Sequence, residues 1–224
     1  MGLTDRYRSL EDLPSVIPVF PLAGALLLPR GQLPLNIFEP RYLQMVDDAM
    51  RGERIIGMVQ PEPESEDVIR PSDNPPLLKV GCAGRITSYA ETPDGRLVIT
   101  LTGISRFSIV RELDAMTPYR QCEVAWDEYV DDLTPGRGEE EVSRERLIEV
   151  LKQYLDVYEL QADWRAIKAS SNENLVNSLC TISPYGPKEK QALLEARTLE
   201  DRNQMLIALT EVALQGSDNG NTVQ

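Results

Sequence analysis

Apolar residues are spaced differently in the two halves of the chain. Up to about residue 130, short apolar runs bounded by Pro and Gly predict the strands of a small barrel. Strand-like runs occur at residues 16–20, 26–28, 55–59, 86–89, 97–101, 107–110 and 122–129. A turn signal at residues 92–95 predicts a hairpin between residues 86–89 and 97–101. Helical spacing after Pro40 predicts one amphipathic helix inserted among these strands.

The second half of the chain has helical spacing throughout. Helices are predicted at residues 139–160, 174–182, 188–197 and from Thr198 to Leu214, the last opened by a capping box of Thr198 and Asp201. The Pro-rich and acidic residues 61–76 are interpreted as a mobile surface loop. The expected organisation is a β-rich domain over residues 1–130, a linker over 131–138, a helical bundle over 139–215 and a disordered tail over 216–224. This is an α+β arrangement.

The charge balance bears on the class of partner. Acidic residues outnumber basic ones by 36 to 23, which leaves a net charge of −13. A nucleic-acid binder must neutralise phosphates with clustered Lys and Arg, whereas the basic residues here are scattered. An anionic membrane surface would repel the chain for the same reason. We therefore expect protein partners, and neither nucleic acid nor a membrane.

Several kinds of chemistry are excluded by residues that the chain lacks. It contains no histidine, which removes Ser-His-Asp triads, histidine bases and histidine metal sites, and it has neither a P-loop pattern nor a Gly-x-Ser-x-Gly elbow. The three cysteines are isolated, which indicates buried thiols in a reducing compartment and no zinc site. The first residues show no signal peptide. We expect a cytoplasmic protein with no catalytic residue, no metal site and no cofactor.

A series of short motifs carries a resemblance to a known family. In chain order they are residues 16–22 (VIPVFPL), 27–29 (LLP), 33–35 (LPL), 37–42 (IFEPRY), 57–60 (GMVQ), 80–86 (VGCAGRI), 101–107 (LTGISRF) and 187–195 (PKEKQALLE). Each motif is weak by itself, but their order and spacing together resemble the N-terminal substrate-binding domain of the Lon protease family. Residues 37–42 look like the variant found in stand-alone bacterial members, and the Lon-like domain of cereblon is a more distant relative.

The resemblance implies a fold and a function. The fold is a PUA-like β pseudo-barrel with an inserted helix, followed by a small helical bundle. In the full-length protease this domain binds unfolded or tagged polypeptide, while the ATPase and the Ser–Lys peptidase lie further along the chain. Neither of those parts is found here. We therefore expect a non-catalytic polypeptide-binding module, an adaptor or regulator of proteolysis with a protease or chaperone as a further partner, and we leave its oligomeric state open.

Two other functions remain open at this point. PUA-like folds often bind RNA, which the acidic balance disfavours. A small-molecule pocket of the cereblon kind would need a cavity lined by aromatic residues, and only 6% of the chain is aromatic.

The candidates for polypeptide contact lie within the family motifs. They are Phe38, Arg41, Tyr42, Arg85 and Arg106. Each also has a structural interpretation. The two aromatic residues could be core residues where the helix docks on the barrel. The arginines could instead pair internally with Glu39 or with another acid.

Overall fold

The computed structural model describes Thr4, residues 6–63 and residues 74–220, the last four of these as backbone alone. The strands are β1 (Val16–Pro21), β2 (Gln32–Ile37), β3 (Ile55–Val59), β4 (Val80–Glu91), β5 (Leu97–Leu113) and β6 (Gln121–Ala125). The helices are α1 (Pro40–Arg51), α2 (Arg144–Val157), α3 (Trp164–Ala169), α4 (Asn172–Ile182), α5 (Pro187–Glu195) and α6 (Leu199–Gly220). Short 3₁₀ helices occur at Leu10–Asp12, Asp127–Leu133 and Glu139–Glu141.

The six strands form one sheet that closes on itself. Their order is β2-β5-β4-β3-β1-β6, and β6 pairs again with β5 to complete the barrel. The long strand β5 pairs with two strands along one of its edges. Its first half pairs with β2 and its second half pairs with β6. The predicted hairpin is confirmed as the antiparallel pair β4–β5, in which Tyr89 lies opposite Ile99. Inside the barrel, Ile17, Phe107 and Trp126 belong to one buried cluster.

Residues 26–28 are buried but do not form the predicted strand. They belong to the connection between β1 and β2, which makes turn-like hydrogen bonds such as Gly31 N–H to the Leu28 carbonyl at 2.9 Å. This connection passes so close to β5 that a Cβ atom on Gly103 would lie 2.0 Å from the Leu28 carbonyl oxygen. Burial here comes from close backbone packing and not from a place in the sheet, which is why apolar composition misled the prediction.

The helical half follows the predicted spacing with shifted boundaries. A break at Val142 and Ser143 separates the 3₁₀ helix Glu139–Glu141 from α2, so the first long helix starts later than predicted. Sequence periodicity missed α3, which has only six residues, although Asp163 caps it by accepting from the Arg165 and Ala166 amides at 2.9 and 3.0 Å. α6 continues as helix to Gly220, beyond the predicted start of a disordered tail. Residues 221–224, and residues 64–73 of the predicted surface loop, lie outside the described residues.

The capping box that opens α6 is confirmed. The Thr198 amide donates to the Asp201 carboxylate at 3.1 Å, and the Asp201 amide donates to the Thr198 hydroxyl at 3.0 Å. The shorter Asp side chain therefore takes the place of the usual Glu or Gln. Local sequence was sufficient for this element because both partners lie within one helical turn.

The chain divides into two compact units. The barrel unit comprises residues 1–135 and 185–194, and the helical unit comprises residues 136–184 and 195–224. Most of α5 thus belongs to the barrel unit, whereas the sequence placed it in the bundle. The first residues of the predicted linker also differ from expectation, because the 3₁₀ helix Asp127–Leu133 packs against β5. No helix in the described part of the chain combines the length and the apolar character needed to cross a membrane.

Candidate functional site

Phe38 lies at the surface, at the corner between β2 and α1. β2 ends at Ile37 and α1 begins at Pro40, so Phe38 stands on a short connection between two regular elements. Along this stretch Leu35 and Ile37 are buried, whereas Asn36 and Phe38 are exposed, as the alternation of a half-buried strand requires. The Phe38 side chain is 61% exposed. The alternative that it belongs to the core is therefore wrong.

Arg41 and Tyr42 follow Phe38 in the first turn of α1. The Arg41 Nε and Nη2 atoms both lie 2.9 Å from the Glu39 carboxylate, and the guanidinium carbon lies 4.7 Å from the centre of the Tyr42 ring. Tyr42 itself is buried against Phe20, with ring centres 4.2 Å apart, and burial raises the pKa of its hydroxyl. Arg41 is thus held at the surface, and Tyr42 is a core residue that supports it.

Arg85 makes different contacts from the residues at this corner. It lies on β4, where its Nη1 donates to the Tyr7 hydroxyl at 3.0 Å and to the Glu53 carbonyl at 2.9 Å. These bonds tie the segment before β1 and the turn after α1 to the barrel wall. The structure brings Phe38, Arg41 and Tyr42 together, and it gives Arg85 a structural role in the wall.

Arg106 is an internal residue and is not available to a client polypeptide. It is 5% exposed, and its Nε and Nη2 donate to the two carboxylate oxygens of Asp132 at 2.8 Å each. Its Nη1 also donates to the Leu194 carbonyl at 3.2 Å. Burial alone would lower the pKa of Arg106, but the hydrogen bonds and charge of Asp132 outweigh it and the pKa is raised. The polypeptide-contact interpretation of Arg106 is corrected accordingly.

A strip of exposed residues extends from Phe38 across three strands, and sequence reasoning did not single it out. The register places Asn36 opposite Val98 and Val98 opposite Ala90, and all three are exposed. Pro34, two residues before Asn36, is exposed on the same face. We call Pro34, Asn36, Phe38, Val98 and Ala90 the β2 face. The signal was present in the sequence, because an inward Leu97, Ile99 and Leu101 leave Val98 pointing outward.

The barrel unit also contains an open cavity of about 430 Å³. Tyr7, Arg8, Arg30, Ile104 and Leu133 are among its lining residues, and Tyr7 is the one aromatic residue described there. This lining does not match the aromatic cavity that a small-molecule site of the cereblon kind would need. Within the described residues, no group of three or more Cys, Asp and Glu side chains is placed to hold a metal ion.

Comparison with known proteins gives consistent results. A family model described as the ATP-dependent protease La (LON) substrate-binding domain matches residues 16–211. The chain is 27% identical over 221 residues to Lon protease of Flavobacterium johnsoniae, covering 96% of this chain and 26% of that protein. It is 28% identical over 206 residues to Lon protease 2 of Myxococcus xanthus, covering 89% of this chain and 24% of that protein. The chain thus spans about a quarter of the length of these relatives.

Solved structures of similar fold agree with the barrel and helices described above. A Lon N-terminal domain protein from Xanthomonas campestris aligns with a TM-score of 0.56 at 23% identity, over 87% of this chain and 98% of that one. The N-terminal domain of the Mycobacterium avium complex Lon protease aligns with a TM-score of 0.59 at 16% identity, over 88% and 98%. At these identities the likeness concerns the fold alone, and it confirms the expected α+β class.

Proposed function

We propose that this chain, which belongs to the family of the ATP-dependent protease La (LON) substrate-binding domain, binds unfolded polypeptide at the corner where β2 meets α1. One observation carries the proposal, namely that Phe38 is 61% exposed on a connection between two regular elements. Aromatic side chains, Phe among them, are enriched at protein–protein interfaces relative to the rest of the surface. Arg41, in the first turn of the adjoining helix α1, adds a partly exposed guanidinium to the same corner.

Charge at this corner also suits a polypeptide better than RNA. Glu39 pairs with Arg41, so the positive charge of Arg41 is already balanced. The chain as a whole carries a net charge of −13. Binding to phosphates would require a cluster of unbalanced Lys and Arg. A client segment without an excess of acidic residues fits this surface.

The proposed role is binding without catalysis. The absence of histidine and of a P-loop pattern supports this role. We propose that bound clients are handed to a protease or chaperone, because the curated relatives are Lon proteases. The purified protein should neither hydrolyse ATP nor cleave casein. ATP turnover that survives stringent repurification would contradict this part of the proposal.

The binding site is tested by comparing two exposed apolar side chains. Fluorescein-labelled lysozyme, reduced and carbamidomethylated so that it stays unfolded, is titrated with the protein and followed by fluorescence anisotropy. Phe38→Ala should weaken binding by about 1–2 kcal/mol, which is roughly 5- to 30-fold in Kd. The urea midpoint should stay unchanged, because Phe38 is mostly exposed. Arg41→Ala should weaken binding by a similar or smaller amount.

Met116→Ala is the matched control. Met116 is fully exposed between β5 and β6, so its truncation removes apolar surface outside the proposed site. It should leave binding as it is in the wild type. The proposal fails if the wild-type protein shows no saturable binding, or if Phe38→Ala and Met116→Ala have equal effects. Tight binding of structured RNA in place of unfolded protein would favour the RNA function instead.

A further inference from the structure

We propose that the client segment binds as an added β-strand along the free edge of β2. This inference rests on the proposed function and specifies how the client is held. β2 stands at the end of the strand order, and β5 is its one partner strand in the described sheet. An edge strand presents a row of backbone N–H and C=O groups that another extended chain can match.

The direction of each backbone group of β2 follows from the register. Gly103 N–H donates to the Gly31 carbonyl at 2.9 Å, so Gly31 directs its carbonyl towards β5. In an antiparallel ladder the hydrogen-bonded positions alternate, which assigns Leu33, Leu35 and Ile37 to the β5 side. Gln32, Pro34 and Asn36 then direct their backbone groups away from β5. Pro34 fits this assignment because it has no N–H to offer to a ladder.

The outward positions are accessible. Gln32, Pro34 and Asn36 are all exposed. Together they present two N–H donors, from Gln32 and Asn36, and three carbonyl acceptors. Within the described part of the chain, no other group bonds to these donors and acceptors. Donors and acceptors repeating at strand spacing are the complement of an extended polypeptide, and a nucleic acid or a folded helix has no such row.

The β2 face adds a preference for side chains. A strand added beside β2 alternates its side chains between the two faces of the sheet. Those on the outer face would lie next to Pro34 and Phe38, with Val98 one strand further. This surface is mainly apolar. The expected client is therefore an extended segment with apolar residues at every second position and few acidic residues.

Pro34 limits the strength of this pairing. The client carbonyl opposite Pro34 meets no N–H, so the added strand lacks one hydrogen bond in its middle. Proline on an edge strand also discourages two copies of a protein from pairing edge to edge. The edge thus favours weak and reversible capture of a client over permanent association.

Two substitutions on the edge should move the affinity in opposite directions. Pro34→Ala supplies the missing N–H and should tighten binding of the labelled unfolded lysozyme by roughly 2- to 10-fold, the effect of one hydrogen bond. Asn36→Pro removes an outward N–H and should weaken binding by at least as much. Asn36→Ala is the comparison, because it removes the side chain and keeps the N–H. Asn36→Pro must therefore weaken binding more than Asn36→Ala does.

The outcomes separate this inference from the proposed function. If the wild type binds and Phe38→Ala weakens binding, but Pro34→Ala and Asn36→Pro behave as the wild type, the corner is the site and the added strand is wrong. If the wild type shows no saturable binding, the proposed function itself fails. Circular dichroism and urea unfolding check that each variant is folded. Should Asn36→Pro not fold, Pro34→Ala decides alone, since tighter binding supports the added strand and unchanged binding overturns it.

Discussion

Arg106 illustrates, at the scale of single residues, how a motif position can support the fold instead of a client. From the sequence, the choice between a client contact and an internal ion pair was open. The structure decides it through Asp132, which lies 26 positions further along the chain. The carboxylate also accepts from the Arg106 backbone N–H at 2.9 Å, so the pair joins β5 to the 3₁₀ helix Asp127–Leu133 through main chain and side chain together.

Breaking this pair should destabilise the protein strongly. Asp132→Asn leaves the buried Arg106 charge without its counter-ion, and we expect a loss of about 3–5 kcal/mol in the free energy of unfolding. Urea denaturation followed by tryptophan fluorescence measures it. Asp114→Asn, an exposed change between β5 and β6, is the control and should have little effect. Equal effects of the two substitutions would contradict the structural role assigned to Arg106.

The buried thiols predict how stability depends on pH. Burial raises the pKa of Cys122 to about 11 and that of Cys180 to about 12, against an ordinary value of 9.0. In the unfolded chain the thiols ionise near their ordinary pKa. Below that pH both thiols are neutral in the folded and the unfolded chain, so the free energy of unfolding has its full value. As the pH rises towards the folded-state pKa values, ionisation of the unfolded chain lowers the free energy of unfolding.

We therefore expect the urea midpoint to fall as the pH rises from about 9 towards about 11 in the presence of a reducing agent. Cys122→Ala should lower stability at every pH because it leaves a cavity, but it should also flatten this alkaline decline. A slope identical to that of the wild type would show that the Cys122 thiol does not contribute to it.

At the scale of elements, the connection from β1 to β2 differs most from the sequence prediction. Its leucines are as apolar as a buried strand, yet they pack beneath β5 without joining the ladder. Arg30 in this connection has a φ of 64°, a conformation that suits a tight turn and not a strand. The place of this segment depends on Gly103, because only a residue without a Cβ atom admits the Leu28 carbonyl so closely.

Gly103→Ala should consequently be destabilising. The new Cβ would lie 2.0 Å from the Leu28 carbonyl oxygen and 2.8 Å from its carbon, both of which are backbone atoms. Backbone shifts of this kind cost about 1–3 kcal/mol or more. Gly216→Ala in α6 has open space around it and should be neutral or slightly stabilising. Thermal melts in which Gly216→Ala lowers the melting temperature more than Gly103→Ala does would contradict the close packing at Gly103.

At the scale of the whole molecule, the barrel unit includes most of α5, which lies about 50 residues after the rest of the unit along the chain. The Gln60 side chain donates to the Pro187 carbonyl at 3.0 Å and to the Gln191 side chain at 3.1 Å. Gln191 in turn donates to the Val80 carbonyl at 3.1 Å. α5 therefore completes the hydrogen bonding of buried groups in the barrel, and an amphipathic pattern could not indicate which unit it would join.

A truncated chain of residues 1–135 should accordingly be less stable than the barrel within the full protein. Without α5, the Gln60 side-chain amide loses two acceptors, and the barrel unit loses the buried side chains of Leu193 and Leu194. We expect a lowered melting temperature and binding of the dye ANS. A synthetic peptide of residues 185–195 should reverse both effects, and the same peptide with Gln191→Ala should do so less well. A fragment as stable as the full protein would contradict the assignment of α5 to the barrel.

Local patterns in the sequence were sufficient for most of the elements. Alternation of period two located the β4–β5 pair, and helical spacing after Pro40 located α1, because each depends on residues that are close along the chain. The order of the family motifs was likewise sufficient to predict the family and its α+β fold, and the comparisons confirm both.

Only the tertiary structure decided which of the candidate residues face a possible client. Phe38 lies outside and Tyr42 inside, although both are aromatic residues of one motif, because the strand ends at Ile37 and the helix then turns one face towards the core. Arg106 pairs with Asp132, which is distant along the chain and comes close only in the closed barrel. β2 is an edge strand, since the barrel closes through the pairing of β6 with the second half of β5. These outcomes depend on contacts between residues far apart in sequence, and spacing along the chain carries no information about such contacts.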